Sequence, residues 1–391
     1  MENSRAMIPY GRQDISQVDI DSVVKVLQSD FLTQGQMVPC FEETVANYCG
    51  SKHAVAVNSA TSALHIACLA MGLGSGDWLW TTPNTFVASA NCALYCGAQV
   101  DFVDIDPRTY NLCANALEVK LQKAKLEGRL PKIVIPVHFA GQPCDMPAIH
   151  LLSEKYGFKI VEDASHAIGA SYNDIKIGSC VHSDITVFSF HPVKIITTGE
   201  GGIATTNNPK IAERLYRLRT HGITNRSELM RARPENEIWN YQQIELGFNY
   251  RMTDIQAALG VSQMSRLDVF IERRREIAAA YDRAFANLPI VTPWLLNEVR
   301  SSHHLYPIRI RESDCEKDQR QVYDLLRQNG VAANLHYIPI YLQPYYVNLG
   351  FRKGLCPESE NFFRQAISLP IYPSLHQEDQ DRVIDILIHS F

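Results

Sequence analysis

The 391-residue chain lacks most of what would point to a membrane, a nucleic acid or a metal. Its formal net charge is −5 and it has no strongly basic stretch, so it offers no electrostatic footprint for a polyanion. Arg273-Arg274-Arg275 is short and lies in a helical pattern, where it reads as a solvated face. No apolar run reaches about 18 residues, the length a spanning helix needs. Met1 to Tyr10 carries no apolar signal-peptide core, and a cytoplasmic location is expected. The 10 cysteines contain no C-x-x-C pair. They read as reduced, buried thiols rather than a disulfide frame. The 13 histidines show neither H-E-x-x-H nor zinc-ligand spacing, so no metal is expected. There is no P-loop, no internal repeat and no low-complexity tract.

What remains is an ordinary globular composition, 46% hydrophobic and 20% charged. The length exceeds one core and predicts two domains. From about residue 53 to 220, short apolar β-branched runs alternate with helical patterns. His53 to Val57, Val100 to Asp104, Ile133 to Val137, Lys159 to Val161 and Ile185 to Phe190 read as strands. Such alternation predicts a mainly parallel sheet covered by helices. Thr253 to Leu288 is helical and joins this part to the next. After Pro289 the rhythm changes: a strand from Leu305, a helix from Lys317, a Pro/Tyr-rich loop, then helices at Glu360 to Ala366 and Gln380 to Ile388. The expected division is a large α/β domain over residues 1–265, including an N-terminal loop segment, and a smaller α+β domain over 266–391.

Two residues carry the chemistry. Asp163 lies just beyond one apolar run and Lys194 just beyond another. In an open α/β sheet, ligands bind at the carboxyl ends of strands. Adjacent parallel strands would deliver an acid and an amine to one crevice. That pair is what pyridoxal 5′-phosphate (PLP) requires: a lysine to hold the aldehyde and a carboxylate to keep the pyridine nitrogen protonated. The alternatives are a surface lysine and a carboxylate capping the next turn.

A phosphate site is the companion requirement. Ser59-Ala60-Thr61 places small, hydroxyl-bearing residues between a strand and a helix, which suits a dianion and equally suits ordinary capping. Ser189 adds another hydroxyl. Phe86 is placed to stack on a ring, or is simply core. His166 is placed near the ring oxygen, or is a satisfied core histidine. The run Thr198-Gly199-Glu200-Gly201-Gly202 lets backbone approach a bound group.

Taken together, Asn58-Ser59-Ala60-Thr61, Pro83-Asn84-Thr85-Phe86, Glu162-Asp163-Ala164-Ser165-His166, Ser189 to Lys194, Thr198 to Gly202 and Gly247 to Met252 resemble the DegT/DnrJ/EryC1/StrS nucleotide-sugar aminotransferases. The resemblance covers nearly the whole chain, in order. It implies the fold type I architecture of PLP-dependent transferases and a homodimer with active sites at the interface. It implies that Lys194 binds the cofactor covalently and that Asp163 meets the pyridine nitrogen. Thr61 and Ser189 would bind phosphate, Asn249 would reach the partner subunit's phosphate, and Phe86 and His166 would contact the ring. The family usually has proline after the lysine, where this chain has Ile195. Relatives with histidine in place of the lysine are dehydratases, and Lys194 argues against that chemistry.

The segments Ile8 to Gln13, Ser29 to Gly35, His336 to Pro339 and Gln343 to Tyr346 resemble the pseudaminic acid branch of that family. This implies transfer of an amino group from L-glutamate to C4 of a UDP-linked 4-keto-6-deoxy-N-acetylhexosamine of L-arabino configuration. Bacillosamine- or perosamine-type aminations, and a non-catalytic nucleotide-sugar-binding protein of the same fold, are the alternatives. Substrate contacts are expected from Tyr10, Leu32, Thr33, Gln34, Gly35, His191, Arg251, His336 and Tyr337. The loops around Thr33 and His336 are expected to close over one cleft.

Overall fold

The computed structural model describes residues 7–232 and 241–391. Its centre is a seven-stranded sheet. In chain order the strands are β1 (His53–Val57), β2 (Trp78–Thr81), β3 (Gln99–Phe102), β4 (Ile133–Ile135), β5 (Lys159–Asp163), β6 (Ile185–Ser189) and β7 (Gly202–Thr206). Across the sheet they run β1-β7-β6-β5-β4-β2-β3. Only β7 is antiparallel to its neighbours, β1 and β6; the other pairings are parallel. Both β6 and β7 are buried along their whole length. That explains their continuous apolar and threonine content, since a strand covered on both faces shows no alternation.

The register fixes the site. Val161, Glu162 and Asp163 of β5 lie opposite Ile185, Thr186 and Val187 of β6. Asp163 and Ser189 therefore close two adjacent parallel strands at the same edge. Beyond β1, Ser59 caps the helix Ala60–Ala70, accepting from the Ser62 amide at 3.1 Å. The helix is brought against β7 by Gly202, where a Cβ would stand 2.4 Å from the Ala60 nitrogen and 2.5 Å from the Ser59 carbonyl carbon. Gly202 of the glycine-rich run thus admits the helix start, and Glu200 of the same run lines the cavity beside it.

The second core lies beyond the helix Asp254–Met264. The next helix, Leu267–Phe285, serves both cores. Its Leu267, Phe270 and Ile271 pack with Phe41, Phe188 and Ile195 of the large unit. Its Ile277, Tyr281 and Phe285 pack with Tyr306, Val331, Leu369 and Val383 of the small one. The small unit holds a three-stranded antiparallel sheet, Ile290–Val291, Tyr306–Ile310 and Ala366–Leu369. The helix expected to run through Ala366 stops at Gln365, because Ala366–Leu369 is buried along its length as a strand beside Tyr306–Ile310.

Two expectations need correcting here. Ile8–Pro9, expected in the large domain, pairs in parallel with Val331–Ala332, and Ile8 packs into the small core. Arg274 is not on a solvated face: it is fully buried, and its guanidinium donates to the carbonyls of His303, His304 and Ile371. Among the described residues no helix is long and apolar enough to cross a membrane. Among them, too, no cluster of His, Cys, Asp or Glu could hold a metal ion.

Candidate active site

A cavity of about 670 Å³ opens at the ends of β5 and β6. It is lined by Asp163 and Lys194, by Ser59, Ala60 and Thr61 at the helix start, and by Phe86, His166, Ser189 and His191. Tyr10, His336 and Tyr337 line it as well. Twelve expected site residues thus meet in one place, drawn from segments far apart in sequence.

Lys194 is half-buried, and loss of solvent pulls its ammonium down from 10.5 to about 8, against the opposing pull of Asp163. Ile195 after it is buried beside Phe190 and Ile196, so apolar packing anchors the turn. Asp163 is 4% exposed. Its Oδ1 accepts from the Ser165 amide at 3.0 Å and the Ser165 hydroxyl at 2.6 Å. Its Oδ2 accepts from the Ser89 hydroxyl at 2.6 Å. A carboxylate has about four acceptor positions, so these three donors leave one open.

His166 is buried, and burial, with the Lys194 and His336 charges adding to it, holds its pKa well below the usual range. It is therefore a neutral ring at neutral pH. Its Nδ1 accepts from the Ala140 amide at 3.3 Å, which puts the proton on Nε2, 3.3 Å from the Tyr337 hydroxyl. His336 is pushed down to about 3, by burial first and by Lys194 second. Its Nδ1 lies 2.8 Å from the Ser368 hydroxyl and its Nε2 lies 3.3 Å from the Asn334 amide nitrogen. Both nitrogens are thus engaged within the chain, so His336 braces the wall and has no free polar atom for a sugar. Only the folded chain brings Ser368 beside it, so sequence alone gave no sign of this.

The remaining expected residues lie elsewhere. Leu32, Thr33, Gln34 and Asn249 are exposed, while Gly35 and Arg251 are half-buried. None of the six lines the Lys194 cavity. Gln34 and Arg251 instead share a separate cavity of about 380 Å³ with Arg217, His221 and Tyr241. The expected closure of the Thr33 and His336 loops over one cleft does not occur within a single chain. The reason is Asp254, whose carboxylate accepts from the amides of Gly35 at 2.6 Å, Met37 at 2.7 Å and Val38 at 3.1 Å. It fastens the loop to the helix Asp254–Met264. Ser89, Thr85, Ser165 and Asn334 are site residues that the sequence reading did not assign. The first two are hydroxyls in a run of small residues, with nothing local to show that Ser89 points at Asp163 and Thr85 at Ser89.

The cavity fits PLP on these observations. One acceptor position on Asp163 is free for a ring N–H, a desolvated amine stands at the neighbouring strand end, and helix-start amides face the same space. The first amides of a helix have no partner within it and bind anions.

Comparison with known proteins agrees. Residues 13–388 match the model of the DegT/DnrJ/EryC1/StrS aminotransferase family. The chain is 38% identical over 383 residues to the UDP-4-amino-4,6-dideoxy-N-acetyl-beta-L-altrosamine transaminase of Campylobacter jejuni, covering 97% of this chain and 96% of that one. Among solved structures it resembles Helicobacter pylori PseC, an aminotransferase of pseudoaminic acid biosynthesis, with a TM-score of 0.88 and 31% identity over 98% of this chain and 99% of that one. It also resembles the PLP form of the putative sugar aminotransferase Spr1654 of Streptococcus pneumoniae, with a TM-score of 0.86 and 30% identity over 98% of each.

Proposed function

The chain belongs to the DegT/DnrJ/EryC1/StrS aminotransferase family of PLP-dependent nucleotide-sugar aminotransferases, and from that membership we propose the particular reaction. It transfers the amino group of L-glutamate to C4 of UDP-2-acetamido-2,6-dideoxy-β-L-arabino-hex-4-ulose. The product is UDP-4-amino-4,6-dideoxy-N-acetyl-β-L-altrosamine. The observation that carries this is the meeting of Asp163 and Lys194 in one cavity, in a chain 38% identical to a transaminase of that name.

When bound, PLP supplies an aldehyde that accepts nitrogen and a ring that withdraws electrons. Lys194 would hold it through Nζ. The Lys194 amine would take the proton from Cα of glutamate and, in the second half of the cycle, deliver one to C4 of the sugar. Its amine near 8 makes it a competent base and acid close to neutral pH. Asp163 would receive the ring N–H at its open acceptor position, a charge-assisted hydrogen bond. Ala60 and Thr61 offer amides to the phosphate, and Thr61 and Ser189 offer hydroxyls. Phe86, 59% exposed in the single chain and lining the cavity, would cover one ring face. His166, neutral and donating from Nε2, would face the ring oxygen.

The working enzyme is a homodimer with shared sites. Among the described residues Lys194 is the one lysine or arginine lining the cavity, yet the substrates bring two carboxylates and a diphosphate. Arg251 and Asn249 of one subunit, with the Leu32 to Gly35 loop, supply the missing contacts to the cavity of the other. Exposed Phe31 at 61% and Leu246 at 79% are apolar surface that a second copy would cover.

The test is product mass spectrometry with glutamate and a panel of UDP-4-ketosugars. The L-arabino ketosugar should be preferred over its D-xylo epimer at C5. Equal turnover of the two would remove the pseudaminic acid assignment and leave the aminotransferase standing.

A further inference from the structure

We propose that Ser89 is a positioning residue for Asp163, fixing the carboxylate oxygen that faces the cofactor's ring nitrogen. Ser89 is 0% exposed and sits in the first turn of the helix Ala88–Tyr95. Its amide is used by the Phe86 carbonyl at 3.2 Å, so only the side chain is available to Asp163. Its Oγ lies 2.6 Å from Asp163 Oδ2 and 2.9 Å from Thr85 Oγ1.

The proton count sets the direction. An ionised carboxylate only accepts, so the single Ser89 proton points to Asp163. Thr85, itself 4% exposed, must then donate to Ser89. The chain runs Thr85 to Ser89 to Asp163. Ser165 fills both positions on Oδ1, so the open position belongs to Oδ2, the oxygen that Ser89 holds. A carboxylate gripped on one oxygen alone turns about its Cβ–Cγ bond, a soft torsion. Gripped on both, it presents one lobe in one direction. The helix start also places partial positive charge beside this carboxylate.

This inference rests on the reading of Asp163 as the partner of the ring nitrogen, and the test separates the two. The holoenzyme is prepared with PLP labelled with ¹⁵N at the ring nitrogen. Three things are measured: cofactor content, the ¹⁵N chemical shift and the rate of the glutamate half-reaction. Ser89→Ala should keep its cofactor. Its ¹⁵N signal should move toward the unprotonated ring, and its rate should fall on the order of ten- to a hundredfold, the span of a charged hydrogen bond. Ser89→Thr should restore both. In an Asp163→Asn background, Ser89→Ala should add no further loss. Thr85→Val, which leaves Ser89 in place, should move the signal and the rate the same way by less. Should Ser89→Ala not fold, that variant carries the test. An unmoved ¹⁵N signal with a native rate in the folded variants overturns the proposal, as does an equal loss with and without the Asp163 carboxylate. An unmoved ¹⁵N signal in Asp163→Asn itself overturns the underlying reading instead.

Discussion

Around Lys194, the polar groups are buried and paired within one chain; around Arg251, they face outward. Asp163 has three donors and His166 is held at both nitrogens. Thr33, Gln34 and Asn249, by contrast, are exposed. The first region is assembled by strand register and helix starts, which one chain supplies in full. The second has a fixed loop, clamped by Asp254, and no ligand-sized wall opposite it that includes Lys194. A finished chemical centre beside an unfinished recognition surface is what a site shared between two copies would show from one copy alone.

The comparison is most exposed at Lys194. Lys194→Ala should lose all measurable turnover while keeping its fold, because the residue is half-buried at a loop and its loss leaves no large cavity. Borohydride reduction of the holoenzyme should attach the cofactor to the peptide containing Lys194. A label found on a different lysine would move the chemical centre elsewhere.

Asp163→Asn comes next. It keeps the side-chain shape and removes the charge that stabilises a protonated ring. A loss of about 4 kcal/mol, roughly a thousandfold in the half-reaction, is expected, with cofactor still bound. Near-native rates in this variant would make Asp163 a structural cap of the following turn.

Much of the chemical centre was legible in sequence because strand ends are local. The run Ile185 to Ser189 ends beside the lysine, and Lys159 to Asp163 ends on the acid, so the register of a parallel pair did the rest. What failed depended on distant groups. His336 looked free until Ser368 and Asn334 took its nitrogens. Arg274 looked solvated until the carbonyls of His304 and Ile371 enclosed it. Ser89 is one hydroxyl in a small-residue helix, and helical periodicity does not say which turn meets a carboxylate. The division at residue 265 missed that Ile8 closes the far core, since a two-residue strand carries no pattern.

The amine itself gives a sharper measure of the cavity. Lys194 is depressed to about 8 because burial disfavours its charge. Only the neutral amine attacks the aldehyde, so attachment of added PLP to the apoenzyme should speed up as pH rises. Between pH 7 and pH 9 the gain should be about tenfold, levelling above about 8, where the amine is already neutral. A solvated lysine would keep accelerating toward about 10.4. Asp163 pulls the value upward, so Asp163→Asn should move the plateau to lower pH. Stopped-flow absorbance across this range reads both, and a plateau only near pH 10 would mean that the cavity does not desolvate its amine.

The smallest signal decides whether the second region serves the first. Arg251→Ala and Lys194→Ala chains should each be inactive alone, for opposite reasons: one lacks the face offered to its partner, the other lacks the amine. Most soluble homo-oligomers are twofold, so mixing with subunit exchange gives dimers that are about half mixed. In a mixed dimer, the cavity with an intact Lys194 faces the intact Arg251 of the other chain, and the second site has lost both. One site in two is whole in about half the dimers, so about a quarter of native activity should return. Recovery near that value, absent when exchange is blocked by cross-linking before mixing, ties Arg251 to the neighbouring cavity. No recovery despite exchange proven by mass spectrometry would confine each site to one chain. Arg251 would then act only within its own surface cavity beside Arg217 and Tyr241, and the contrast between the two regions would be one of chemistry against packing rather than of two halves of one site.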